Sequence, residues 1–298
     1  MTRKLLAALA LLGVGAAPVR ERVVTPGETV AVTVNGIPAR IAIDPEAAGL
    51  PMVAQSLALR AGLSCSGLIC LGVVMLIGRE RIPGKTAVTP FGWDGGAPDK
   101  RRVGWLERDL PLPADGEIGP GGLMDPVVRF ALRDARPGER TVALPMAGSG
   151  GLFGSWGSLR ARLMAGKEEL SVRFDLHGRR SLATAGAAVA IAEAQGGVLT
   201  EERGRQVILW GVERPIRVMR LASPLPVGPL GLSSLGVRVT DGSGANTIPE
   251  ADADPSEVVV NAKGRKSPRI LSIGRDLLDR CSSLVFDKPA KEVRLTCA

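Results

Sequence analysis

Tyrosine is absent from this chain, histidine occurs once, and aromatic residues of every kind make up 3% of its 298 residues. Proteins that bind nucleic acid usually pair basic surface with aromatic stacking platforms. The first half of that pairing is present here and the second is missing, so the net charge of +8 reads as scattered solvated faces and turns. No nucleic-acid partner is expected. A single histidine, His177, means that any Ser-His-Asp or Cys-His machine has to use it. It stands beside Gly178 and Arg179, which reads as a solvated turn. Long apolar runs are also missing beyond the N-terminus. The stretch at 68–77 is stopped by Arg79, Glu80 and Arg81, well short of the roughly 20 apolar residues that span a bilayer.

The N-terminus has a different character. Arg3 and Lys4 precede an apolar segment over 5–15, and Val14-Gly15-Ala16 fits a small-residue cleavage pattern. Residues 1–16 therefore read as a secretory signal peptide. Its removal would leave an exported protein, periplasmic or secreted, with no integral membrane segment. The four cysteines, Cys65, Cys70, Cys281 and Cys297, suit an oxidising compartment as two disulfides. The economical pairings are Cys65–Cys70 and Cys281–Cys297. No histidine lies near any of them, which argues against a zinc site. Gly84-Lys85-Thr86 lacks a correctly spaced upstream glycine for a phosphate loop. No metal and no cofactor are expected.

What the chain does have is glycine and proline spread throughout, 38 and 22 residues, which suits a turn-rich β protein. Its organisation is an internal repeat. Alternating runs at 29–34 and 37–43 flank Asn35-Gly36, a strong hairpin signal. A second hairpin is read at 169–176 and 179–182, about a turn at His177-Gly178. The first hairpin runs into Asp44-Pro45-Glu46-Ala47 and the second into Ala183-Thr184-Ala185-Gly186. A short helix is expected after each, over 52–61 and 187–194. Each half then reaches an apolar-Gly landmark: Ile118-Gly119 in one, Ile273-Gly274 in the other. A Gly-rich stretch at 147–157 separates the halves, placing an N-terminal lobe at 22–146 and a C-terminal lobe at 160–298.

A hairpin running into a small-residue motif, followed far downstream by apolar-Gly-x-Asp-x-Leu, resembles the retropepsin-like and pepsin-like aspartic proteases. Here that second motif is Ile273-Gly274-Arg275-Asp276-Leu277-Leu278. The resemblance touches both halves and implies an all-β fold of two related, closed-barrel lobes with a few short helices and a cleft between them. It also implies two carboxylates, one from each lobe, sharing one proton because like charges so close cannot both ionise. Asp44 stands at the first position, but the motif reads Asp-Pro-Glu where the family has Asp-Thr-Gly. Pro45 removes a backbone donor, and Glu46 puts a charge where the family has no side chain. At the second position the sequence offers Ala183. The nearest acids, Asp175 and Glu193, are placed across the turn or along the helix. Asp44 is then either a lone cleft carboxylate or a helix cap.

Three functions follow from the resemblance. One is an exported aspartyl protease-like pseudoprotease that binds a peptide or small ligand in the cleft. Another is an aspartic endopeptidase with an altered dyad built on Asp44. The third is a purely structural envelope protein.

Overall fold

A computed structural model describes residues 20–65, 71–77, 80–108, 114–147, 156–238 and 269–298. The signal-peptide segment, Cys70 with its expected bridge to Cys65, and the loop at 242–257 lie outside the described residues.

The N-terminal lobe is a sheet closed on itself. After β1 (Glu21–Val24), the hairpin β2 (Thr29–Val34) and β3 (Ile37–Ile43) forms as the alternation dictates. Val30, Val32 and Val34 point inward and are buried, the period-two pattern of a half-buried strand. The turn has Asn35 at φ 49° and Gly36 at φ 81°, the left-handed pair that an Asn-Gly turn accommodates. Next come β4 (Met52–Val53), α1 (Gln55–Arg60), β5 (Leu71–Ile77), β6 (Glu80–Trp93), β7 (Asp99–Leu106) and β8 (Gly116–Ile118). The order β2-β3-β8-β4-β7-β6-β5, with an added β2–β6 pairing, closes the barrel.

A shared sheet joins the lobes. It contains β1, β9 (Val127–Ala131), β10 (Arg140–Ala147) and, from the end of the chain, β18 (Cys281–Asp287) and β19 (Glu292–Cys297). The C-terminal lobe repeats the first. Its hairpin is β11 (Arg160–Ala165) and β12 (Glu168–Phe174), turning at Gly166-Lys167. Then follow β13 (Leu182–Ala183), α2 (Ala185–Gln195), β14 (Gly197–Leu209), β15 (Val212–Val227), β16 (Leu230–Arg238), β17 (Ile270–Ile273) and α3 (Arg275–Leu278). The last two strands are β18 (Cys281–Asp287) and β19 (Glu292–Cys297), bridged by the Cys281–Cys297 disulfide. Phe286 of the shared sheet meets Phe130 and Phe174 edge-on, with ring centroids 6.0 and 6.2 Å apart. That geometry is favoured beyond plain burial.

The fold class is as the sequence implies: β-rich, two related lobes, short helices. The second hairpin is not where the sequence reading puts it. The strand ends at Phe174, and residues 175–181 form a loop rather than a turn between strands. The alternation in 169–176 belongs to the returning strand of an earlier hairpin. Its outgoing strand, Arg160–Ala165, has a weak alternating pattern of its own.

Candidate functional site

The repeat can be set out pairing by pairing. In the first lobe β3 runs parallel to β8, with Ile43 opposite Ile118, and the Asp44 N–H donates to the Ile118 carbonyl at 3.0 Å. In the second lobe β12 runs parallel to β17, with Phe174 opposite Ile273, and the Asp175 N–H donates to the Ile273 carbonyl at 2.8 Å. The counterpart of Asp44 is therefore Asp175, not Ala183. Ala183 sits on β13, which pairs antiparallel with β17 as β4 pairs with β8, and it is wholly buried in the core. Thr184, Ala185 and Gly186 follow it into α2. The Thr184 hydroxyl accepts from the Ile270 N–H at 3.0 Å. These four are framework residues; none of them lines the cleft.

Both carboxylates are held by the loops they begin. Asp44 Oδ1 accepts from the Glu46 N–H at 2.7 Å. Asp175 Oδ1 accepts from the His177 and Gly178 N–H groups, each at 2.8 Å. Asp44 caps no helix, because α1 starts only at Gln55. The glycine landmarks make these loops fit. A Cβ on Gly119 would stand 2.1 Å from the Ala47 carbonyl oxygen, and one on Gly274 2.6 Å from the Arg180 carbonyl carbon.

The residue two places after each aspartate crosses to the other lobe. His177 Nε2 lies 2.7 Å from Asp44 Oδ2. Glu46 reaches the other way: its Oε1 accepts from the Ser272 hydroxyl at 3.2 Å and faces the Arg173 guanidinium at 3.6 Å. Pro45 holds the loop between Asp44 and Glu46, and Ala47 lines the cavity beside them. His177 is therefore not an idle turn residue. It is the second lobe's equivalent of Glu46.

The acids are crowded and partly dry. Burial, above all, pushes the Glu46 carboxyl up to about 7, with Arg173 opposing the shift and the Asp175 and Asp44 charges adding to it. Glu117, on β8 facing the cleft, is pushed up to about 7 by burial and then by the Asp44 charge. Burial also raises Asp175, against the pull of its two backbone donors. The Asp44 hydrogen bond lifts His177 to about 9, so its ring is a cation at neutral pH. These are the three usual causes of a shifted pKa acting together. Among the described residues no group of three or more His, Cys, Asp or Glu side chains is arranged to hold a metal ion.

Over this floor lies a cavity of about 710 Å³. The far wall is the β14–β15 hairpin, from Glu202 to Trp210 and back through Glu213 to Val218. Glu117, Asp175 and Trp210 are site residues that the sequence reading did not assign. For Asp175 the signal was available: Phe-Asp closes the strand just as Ile-Asp does at 43–44.

No family model matches the sequence, and no curated protein matches it either. Among solved structures, the chain is similar to the crystal structure of an aspartic proteinase from Irpex lacteus. The TM-score is 0.41 at 10% identity, over 91% of this chain and 94% of that one.

Proposed function

We propose that this is an exported, catalytically silent pseudoprotease that holds a peptide or small ligand in the cleft between its lobes. The observation that carries the reading is the 2.7 Å contact between His177 Nε2 and Asp44 Oδ2. Peptide hydrolysis by a carboxylate dyad needs one carboxylate free to take a proton from water while the other, protonated, polarises the carbonyl. Here Asp44 is tied by an imidazolium on one oxygen and a backbone N–H on the other. The positions two after each aspartate, which have no side chain in the protease motif, carry Glu46 and His177. The open cavity supports binding over a purely structural role. The Cys281–Cys297 disulfide supports export, and no helix among the described residues is long and apolar enough to cross a membrane.

One observation favours a second reading, an altered-dyad peptidase: Asp175 occupies the place equivalent to Asp44. Incubation with a mixed peptide library from pH 3 to 8 separates the two. The pseudoprotease reading expects no cleavage by the wild type at any pH, with peptides retained on the immobilised protein. Cleavage abolished by both Asp44→Asn and Asp175→Asn would establish the peptidase instead.

A further inference from the structure

The base of the β14–β15 hairpin is part of the sheet, with β15 paired to β16 and Ile216, Val218 and Met219 buried, while its outer half projects as a strap toward the other lobe. Its middle, Glu201 to Arg205, is exposed throughout. The ion pair Arg180–Glu202 at 3.0 Å and the Gln206 amide on the Arg180 carbonyl at 2.8 Å tie this outer half to its own lobe, and its tip reaches the other. There Trp210 leaves its own lobe and packs with Leu50, Met52, Ile82 and Leu106 of the other. Trp210 is 8% exposed. Its backbone is left-handed, φ 45°, with Gly211 following at φ 73°. That two-residue turn is normally the place of asparagine or glycine, and a bulky side chain there is disfavoured. The local sequence is therefore unfavourable for the turn and favourable only for what the indole fills.

The indole is also incompletely satisfied. Its buried Nε1–H makes no well-formed hydrogen bond. It is held only loosely by the Glu117 carboxyl, whose charged form it favours. A loosely held buried donor gives up part of the free energy of a good hydrogen bond, and the same carboxyl can accept a better-placed N–H. An apolar slot with one convergent polar group is the usual make-up of a ligand subsite.

Resting on the ligand-binding reading above, we propose that Trp210 is an internal stand-in for the ligand. The slot walled by Leu50, Met52, Ile82 and Leu106 takes an aromatic, N–H-bearing side chain, indole above all, from the peptide that enters the cleft. Glu117 accepts its N–H, and the β14–β15 hairpin vacates the slot as the peptide binds.

The probe is N-acetyl-tryptophanamide. In the wild type at the probe's solubility limit, amide hydrogen exchange in the β14–β15 hairpin should rise at least several-fold, while β18 and β19 keep their protection. No rise in the hairpin overturns the proposal, and this measurement needs no variant to fold. By calorimetry, folded Trp210→Ala should bind the probe at least tenfold more tightly than the wild type. It should also prefer the probe to N-acetyl-leucinamide. Equal binding of the two probes, or no gain over the wild type, overturns the proposal. Peptide cleavage by the wild type would sink the pseudoprotease reading and leave these outcomes unchanged, so the two failures are distinguishable.

Discussion

His177 Nε2 stands 2.7 Å from Asp44 Oδ2, and this one contact joins the loop that ends the first lobe's hairpin to the loop that ends the second's. The hydrogen bond to Asp44 raises the histidine to about 9 from an ordinary 6.5. Because His177 is the chain's only histidine, its ring resonances can be followed by NMR without assignment. The expected titration midpoint in the wild type is about 9. In Asp44→Asn it should fall by one or more pH units toward the ordinary value, since the first cause of the shift is gone. An unchanged midpoint in the variant would show that Asp44 does not hold the ring. The imidazole is 70% exposed, so water screens the pair and its loss should shift stability only modestly.

Glu117 titrates near 7 in the folded chain, against 4.5 ordinarily, chiefly because it is buried. A carboxyl whose folded pKa is raised favours the fold in its protonated form. That contribution is fully present below about 4.5 and is lost as pH rises through about 7. Glu46 acts in the same direction. The urea midpoint of the wild type should therefore fall between pH 5 and pH 8. Glu117→Gln, which stays neutral, should flatten that slope and be the more stable protein at pH 8, by on the order of 1–3 kcal/mol. A wild-type midpoint that is flat over this range would mean that the two carboxyls are better solvated than their burial implies.

The two-lobed β plan was legible in the sequence because its signals are local. Alternation at 29–34, the Asn35-Gly36 turn and the two apolar-Gly landmarks each need only a short window. The site was half legible. Asp44 follows a clean alternating strand, but Asp175 follows one whose partner, Arg160–Ala165, exposes Arg162 and Met164 and half-buries Leu163. That blurs the period, so the sequence pattern puts the turn at His177-Gly178 and moves the register forward onto Ala183. The crossing of His177 and Glu46 depends on how two lobes dock. A window of one lobe carries no information about it. Trp210 was hidden for the same reason, since its slot is built by residues over 100 positions earlier.

Gly119 and Gly274 give a third prediction, about the loops rather than the charges. A Cβ at Gly119 would overlap the Ala47 carbonyl oxygen, and one at Gly274 would press on the Arg180 carbonyl group. In both cases the obstacle is backbone, which cannot swing aside as a side-chain tip does. Gly119→Ala and Gly274→Ala should each cost roughly 2–4 kcal/mol in denaturant unfolding. Gly204, on the exposed strap, meets nothing nearer than the Ile216 side chain at 3.8 Å. Gly204→Ala is therefore the control and should stay within about 0.5 kcal/mol of the wild type. Equal effects at all three positions would remove the argument for a tight fit beneath the aspartate loops.

The Cys281–Cys297 bridge closes a 16-residue separation and ties β18 to β19 across directly paired positions. Those strands sit in the middle of the shared sheet, between β9 and β10, so their pairing is what both lobes are built on. A loop of about this size gives a stabilisation of roughly 3 kcal/mol, mainly by restricting the unfolded chain. Cys281→Ala with Cys297→Ala should lower the unfolding free energy by about that amount while leaving the far-UV spectrum of the folded protein unchanged. The strap offers the contrast that locates the effect. Exchange in its outer half, from Glu201 to Val212, should not change in this double variant, because Trp210 is anchored in the other lobe, away from β18 and β19. If the strap loosened together with the sheet, the bridge would be stabilising the docking of the lobes and not only the strands that it joins.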